Sequence, residues 1–228
     1  MLTKKILLFL GIPSIIILAF IAKDFAGQKK ASLLASNHEI LSKANLSIES
    51  NSQNPSNKLS SLNEPLVRAG ERVTKKPFGT YITSQNSPIQ PERFQGYHTG
   101  ADFEILPEEL NSNVSVMAIT DGKIVEKRSA SGYGGVLVES AVLNGSSVTI
   151  IYGHLSLASI KKNVGDQLSV GEKFAILGKN KSSETDGERK HLHLGIHKGS
   201  SVNILGYVAS KDELVSWVDP VPLLPSNP

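Results

Sequence analysis

Residues 190–197 read Lys-His-Leu-His-Leu-Gly-Ile-His, a stretch in which apolar side chains alternate with imidazoles. A period of two predicts a β-strand buried on one face, with Leu192, Leu194 and Ile196 toward the core. Neutral imidazole is a common zinc ligand and titrates near neutral pH, so the other face can bind a metal ion, transfer protons or do both. The alternative is a surface strand with scattered histidines. The imidazoles of this face belong to His191, His193 and His197.

A second stretch, Gly96 to Phe103, contains two further groups that can bind a metal ion. Read as extended chain, it places His98 and Asp102 on one face, and Gly100 between them leaves room for an ion. A catalytic zinc site has three protein ligands and a water in the open fourth position. These two groups and one of the first two histidines of the strand above complete that set, and residue chemistry leaves open which one.

A third element ends the apolar run at residues 148–152, where Tyr152-Gly-His154-Leu155 adds another histidine. There are now five candidate groups for three ligand positions. Two histidines are therefore left over to carry protons.

In these elements the chain resembles the lysostaphin/LytM-like zinc metallopeptidases, whose pattern is H-x-x-x-D, then Y-x-H-L, then H-L-H. The three motifs occur here in family order, and the resemblance covers about residues 78–206. It implies a zinc-dependent endopeptidase that hydrolyses peptide cross-links of bacterial peptidoglycan by means of a zinc-activated water. The matching connecting segments are 118–125, 132–138 and 164–171.

Position by position, the resemblance implies that His98, Asp102 and His193 are the zinc ligands. It places His154 and His191 beside the metal-bound water as catalytic residues. Our hypothesis is that this pair takes the water proton, steadies the developing oxyanion and returns a proton to the departing amine.

Two stretches depart from the family pattern, Lys179 to Lys190 and Glu104 to Asn113. We expect both to border the cleft, so they bear on substrate preference more than on the chemistry. His197 shares the strand face of the other histidines, but the family has no ligand at its position. Tyr97 and Tyr152 are further candidates for donation to the oxyanion, although tyrosines at such places more often belong to the core or the rim.

Short apolar runs separated by turn residues predict an all-β domain, and the resemblance implies a single antiparallel, barrel-like sheet of the lysostaphin/LytM (duplicated hybrid motif) type. Asp121-Gly122 and Asn144-Gly145 are typical hairpin turns. Only residues 211–217 have a helical pattern. The predicted strands are 114–119, 123–127, 136–139, 148–152, 174–177, 191–197 and 202–208.

The chain divides into three predicted parts. Residues 1–26 contain the uncharged run Ile6 to Ala22 and are interpreted as a membrane anchor, with a cleaved signal peptide as the alternative. Residues 27–76 are rich in Ser and Asn and are interpreted as a flexible linker. Residues 77–224 form the peptidase-like domain. We therefore expect a protein of the cell envelope, anchored with its catalytic domain outside the cytoplasm, or secreted if the first part is removed.

Charge and cysteine content narrow the classes of function. The 24 basic and 21 acidic side chains give a net charge of +3 without a concentrated basic patch, which argues against nucleic-acid binding. Cysteine is absent, so neither disulfides nor thiolate ligands contribute. The expected partners are peptidoglycan and the membrane. The alternative function is a catalytically inactive LytM-like module that binds the cell wall or regulates another protein; a lipoyl-carrier barrel is a weaker option.

Overall fold

The computed structural model describes residues 62–225, in which short β-strands pair only in antiparallel fashion, and the predicted all-β class is confirmed. Six of the seven predicted strands coincide with observed ones. The strands are β1 (Tyr81–Ile82), β2 (Gly96–His98), β3 (Gly100–Glu104), β4 (Ser115–Met117), β5 (Gly122–Ala130), β6 (Gly134–Leu143), β7 (Ser146–Gly153), β8 (Gln167–Leu168), β9 (Lys173–Ile176), β10 (His191–Lys198), β11 (Tyr207–Val208) and β12 (Trp217–Val218).

The prediction of a single sheet is wrong, because residues 62–225 form three. Seven strands make the largest sheet, in the order β12-β10-β7-β6-β5-β8, with β3 also paired to β10. The others are β1-β2-β11 and β4-β9. The chain changes sheet at Thr99, since His98 pairs with Tyr207 and Gly100 pairs with Gly195.

Strand β10 holds the central place that its sequence predicts. Leu192, Leu194 and Ile196 are fully buried in the main hydrophobic core. His191 and His193 lie on the opposite face and are nevertheless buried, because neighbouring elements cover them. The alternation of the sequence therefore separates a packed core from a layer of buried imidazoles.

One of the two predicted hairpin turns and one predicted strand are wrong. Asn144-Gly145 does join β6 to β7 in a hairpin, with positive φ at both residues. Asp121-Gly122 joins β4 to β5, which belong to different sheets, so it closes no hairpin. The predicted strand 202–208 is reduced to β11, since the residues before Tyr207 form a loop.

The predicted helix at residues 211–217 is shorter than expected. Helix α1 (Lys211–Leu214) begins after Ser210, whose hydroxyl accepts a hydrogen bond from the Glu213 N–H. It ends because Trp217 is buried in β12, where it pairs with His197.

The end of the predicted linker belongs to the folded unit, which corrects the boundary expected at residue 77. Leu62, Leu66 and Ala69 are buried in the main core. The free energy gained by burying these apolar side chains offsets the conformational entropy that the segment loses on becoming ordered. The backbone that follows pairs with β3, through Asp102 N–H to Lys76 O at 3.1 Å and Glu104 N–H to Arg72 O at 2.9 Å.

The predicted anchor at 1–26 and the linker up to residue 61 lie outside the described residues. Within residues 62–225, no helix is both long enough and apolar enough to cross a bilayer.

Candidate metal centre

Three side-chain atoms from three strands form a small triangle. The Nε2 atom of His98 lies 3.1 Å from Nδ1 of His193 and 3.2 Å from Oδ1 of Asp102. The third side, from His193 Nδ1 to Asp102 Oδ1, is 3.2 Å. Each of these residues is buried, and together they form a group able to hold a metal ion.

Strand pairing produces this triangle. His193 in β10 lies directly opposite Asp102 in β3, and His98 is at the end of β2, just before the chain enters β3. A Cβ atom placed on Gly100 would lie 2.8 Å from the His193 ring and 2.4 Å from the Leu194 carbonyl oxygen. Gly100 therefore leaves room for the imidazole of His193.

The dimensions and chemistry of the triangle fit zinc. A tetrahedral ion with ligands at about 2.0–2.1 Å separates them by about 3.3 Å, close to the observed edges. The Nδ1 atom of His98 lies 3.3 Å from the Pro77 carbonyl, which assigns the proton to Nδ1 and a lone pair to Nε2. That lone pair faces a carboxylate oxygen. An arrangement of acceptors facing one another is suited to a cation.

Electrostatics keeps these groups in the forms that bind metal. Burial alone would raise the pKa of Asp102, but the neighbouring His191, His98 and Arg189 outweigh it and hold that pKa well below its usual range. Burial lowers the pKa of His193 to about 4, so its imidazole is neutral at pH 7. Both groups are therefore available as electron-pair donors.

His154 and His191 lie side by side next to the triangle, with ring centroids 4.2 Å apart. The Nδ1 atom of His191 lies 2.8 Å from the Arg189 carbonyl, which leaves Nε2 with a lone pair, 3.3 Å from Asp102 Oδ2. Burial, and then His191, lowers the pKa of His154 well below its usual range. Its buried Nδ1 has no hydrogen-bond partner within residues 62–225. His154 is thus held neutral, and the Nε2 lone pair of His191 is the free basic atom of the pair.

The backbone of His154 is strained, with φ of 62° in the left-handed region that non-glycine residues rarely adopt. The residue follows β7, and its carbonyl accepts a hydrogen bond from the Gly178 N–H at 2.8 Å. Strain of this kind is held by surrounding structure and is concentrated at functional sites.

Arg189 is a residue of the site that sequence reasoning missed. Its guanidinium donates to Asp102 Oδ2 at 2.8 Å and to both carboxylate oxygens of Glu104. It thus forms a hydrogen bond with Oδ2 of Asp102, the carboxylate oxygen that does not belong to the triangle. The only sequence feature that pointed to Arg189 was its place in a charge-rich loop directly before the histidine strand.

The triangle lies in a surface cleft of about 450 Å³. Phe94 and Tyr207 stack on one wall with ring centroids 5.5 Å apart. Tyr133, also missed from sequence, packs edge-on against His193 at 5.3 Å, and its buried hydroxyl has no hydrogen-bond partner in the part of the chain described. Glu188 adds an acidic group to the lining.

The two tyrosines suggested by sequence are not in the cleft. The Tyr152 hydroxyl donates to buried Glu139 at 2.8 Å, and Tyr97 packs edge-on against Tyr81. His197 packs edge-on against Trp217, with ring centroids 4.9 Å apart, and is not part of the triangle.

Of the two stretches that depart from the family pattern, 179–190 borders the cleft through Glu188 and Arg189. The other, 104–113, contributes none of the residues that line the cleft, which corrects the expectation. It is fastened by the ammonium group of Lys190, which donates to the carbonyls of Glu109, Leu110 and Ser112.

Comparison with known proteins gives a consistent result. Residues 96–204 match the model of peptidase family M23. Endolysin 2638A of Staphylococcus phage 2638A is 30% identical over 119 residues, which are 52% of this chain and 23% of the endolysin. The chain thus matches less than a quarter of that relative.

Two solved structures are also similar. LytU is 26% identical, with 66% of this chain and 83% of that one aligned and a TM-score of 0.45. The catalytic domain of the antimicrobial peptidase lysostaphin from Staphylococcus simulans is 24% identical, with 69% and 96% aligned and a TM-score of 0.47.

Proposed function

Since residues 96–204 match the model of peptidase family M23, we propose that the chain is a zinc-dependent endopeptidase that hydrolyses peptide cross-links of bacterial peptidoglycan. One observation carries the proposal: three acceptor atoms within 3.2 Å of one another lie in an open cleft beside two further histidines. His98, Asp102 and His193 would hold the ion. When bound, zinc supplies a Lewis acid that polarises the scissile carbonyl and makes a water nucleophilic near neutral pH.

His191 is proposed as the group that takes the proton of the attacking water. Its Nδ1–H is held by the Arg189 carbonyl, so Nε2 is the free basic atom. His154, in ring contact with it and neutral, is proposed to share this proton and return it to the departing amine. Arg189 keeps Asp102 oriented and ionised while the proton moves.

The substrate class rests on the family resemblance and on the relatives, which include an endolysin and an antimicrobial peptidase. The cleft has features that suit a peptide. It is open to the surface, and Gly132 and Gly206 in its lining present no side chain to an approaching peptide.

A cell-envelope location completes the proposal. The uncharged run Ile6 to Ala22 would tether the domain to the membrane, or would be removed on export. Either arrangement gives the domain access to the cell wall.

Incubation of the full chain with purified cell wall tests the proposal, with new amino termini counted before and after removal of zinc by a chelator. We expect amino termini to appear, to stop with the chelator and to return when zinc is restored. If no preparation released amino termini, the catalytically inactive wall-binding module would be the better description.

A further inference from the structure

Tyr207 in β11 lies on the wall of the cleft next to a proposed metal ligand. Its ring is 5.2 Å from the His98 ring, centroid to centroid, and it stacks on Phe94 from the other side. These contacts hold the ring in place, so that the position of the hydroxyl is fixed by packing.

The hydroxyl of Tyr207 accepts a hydrogen bond and keeps its own proton free. Lys76 donates to the Tyr207 oxygen at 3.1 Å and to Glu92 Oε2 at 2.5 Å. An ammonium group has donors and no acceptor, so the phenolic proton cannot serve this bond. Among residues 62–225, no acceptor is paired with that proton.

Lys76 is itself rigidly held. Its side chain and that of Glu92 are 3% and 2% exposed, and Glu92 also accepts from the Ser87 hydroxyl and the Phe94 N–H. A buried ion pair with additional hydrogen bonds fixes the direction of each donor. Both Lys76 and Tyr207 line the cleft.

The phenol remains protonated in this setting. A tyrosine hydroxyl has an ordinary pKa of about 10, so it carries its proton at neutral pH. The adjacent ammonium withdraws electron density from the oxygen and so strengthens the O–H as a donor. A fixed donor of this kind is what a developing negative charge on a carbonyl oxygen requires.

We propose that Tyr207 is a further catalytic residue, whose hydroxyl donates a hydrogen bond to the oxyanion formed at the scissile carbonyl, and that Lys76 is its positioning residue. The inference rests on the proposed function. Both residues lie outside the segment that matches the family model. Lys76 is the last residue of the stretch that composition assigned to the linker.

The first test compares Tyr207→Phe with the matched control Tyr97→Phe, a tyrosine of the adjacent strand β2 that packs away from the cleft. We expect kcat on a soluble cross-link peptide to fall about 100-fold in Tyr207→Phe, with KM and zinc content unchanged. The kcat of Tyr97→Phe should stay within about twofold of the wild-type value.

The second test removes the positioning pair as Lys76→Met with Glu92→Gln, so that no buried charge loses its partner. We expect a loss of about tenfold in kcat. Adding Tyr207→Phe to this double variant should lower kcat by a smaller factor than Tyr207→Phe lowers it in the wild type, because both sets of changes act on the same hydrogen-bond donor. Fully additive losses would overturn the role of Lys76.

A binding measurement separates this inference from the proposed function. Inorganic phosphate serves as a tetrahedral oxyanion, and its affinity for the zinc-loaded full chain should be about tenfold weaker in Tyr207→Phe and unchanged in Tyr97→Phe. Equal affinities in wild type and Tyr207→Phe would overturn the role of Tyr207, whatever the activity. A wild type that cleaves nothing but shows this phosphate difference would overturn only the proposed activity.

Discussion

The Nδ1 atom of His193 lies 3.1 Å from the Nε2 atom of His98, although 95 positions separate the two residues in the chain. The Pro77 carbonyl holds the His98 proton on Nδ1, so Nε2 of His98 presents a lone pair, and in the metal-binding tautomer of His193 the Nδ1 atom presents a second lone pair that repels it. A cation between them and Asp102 resolves this conflict. The first prediction concerns that cation.

Substitution of His98 by alanine should weaken zinc binding by more than about 100-fold, because a three-ligand site loses a ligand. His197→Ala is the matched control, since this imidazole is in the same strand as His193 but packs on Trp217. Zinc content after dialysis against a competing chelator measures the difference. Equal retention of zinc in the two variants would exclude His98 as a ligand.

Loss of the proposed base should leave the metal in place. In His191→Ala we expect full zinc occupancy and a fall in kcat of about 10²–10⁴, because proton transfer from the attacking water loses its acceptor at Nε2. Metal analysis and peptide cleavage are measured on the same preparation. Unimpaired cleavage at full occupancy would refute the acid/base role of His191.

Arg189→Lys should weaken zinc binding by about 10- to 100-fold while the protein remains folded. Lysine keeps the charge but cannot donate to Asp102 and to both oxygens of Glu104 at once, so the liganding carboxylate loses its orientation. Arg93→Lys is the control, as Arg93 is half exposed and pairs with Glu188 at the edge of the cleft. Zinc affinity in Arg189→Lys equal to that of the wild type would show that charge alone matters, and the same loss in both variants would contradict a specific role for Arg189.

Buried Glu139 should make the domain less stable as pH rises. Burial raises its pKa from 4.5 to about 8, so between these values the unfolded chain releases a proton that the native protein retains. Its contribution is therefore most favourable below about pH 4.5, declines through this window and levels off above pH 8. Glu139→Gln keeps an acceptor for the Tyr152 hydroxyl and should flatten this decline, with a gain of about 2–4 kcal/mol at pH 8.

Urea unfolding at several pH values measures this effect. Glu172→Gln provides a contrast, because the hydrogen bond from Lys162 lowers the pKa of Glu172, and its contribution is lost as pH falls. An unchanged slope between pH 5 and 8 in Glu139→Gln would contradict the assignment.

The local sequence pattern was sufficient to predict those elements whose conformation depends only on residues nearby in the chain. Alternation in β10 predicted which face is core, because side-chain direction in a strand follows position alone. The Asn144-Gly145 hairpin followed from backbone preferences of two residues. The number of sheets and the role of Asp121-Gly122 could not be predicted in this way, because both depend on which distant strands pair.

By itself, the sequence determined the all-β class, the buried apolar face of β10 and the set of five groups suited to metal and proton chemistry. Only the tertiary structure decided which atoms of those groups face one another. It also brought Arg189, Lys76 and Tyr207 to the cleft. Their roles depend on hydrogen bonds across as many as 131 positions, and the geometry of such bonds is set by packing rather than by local spacing.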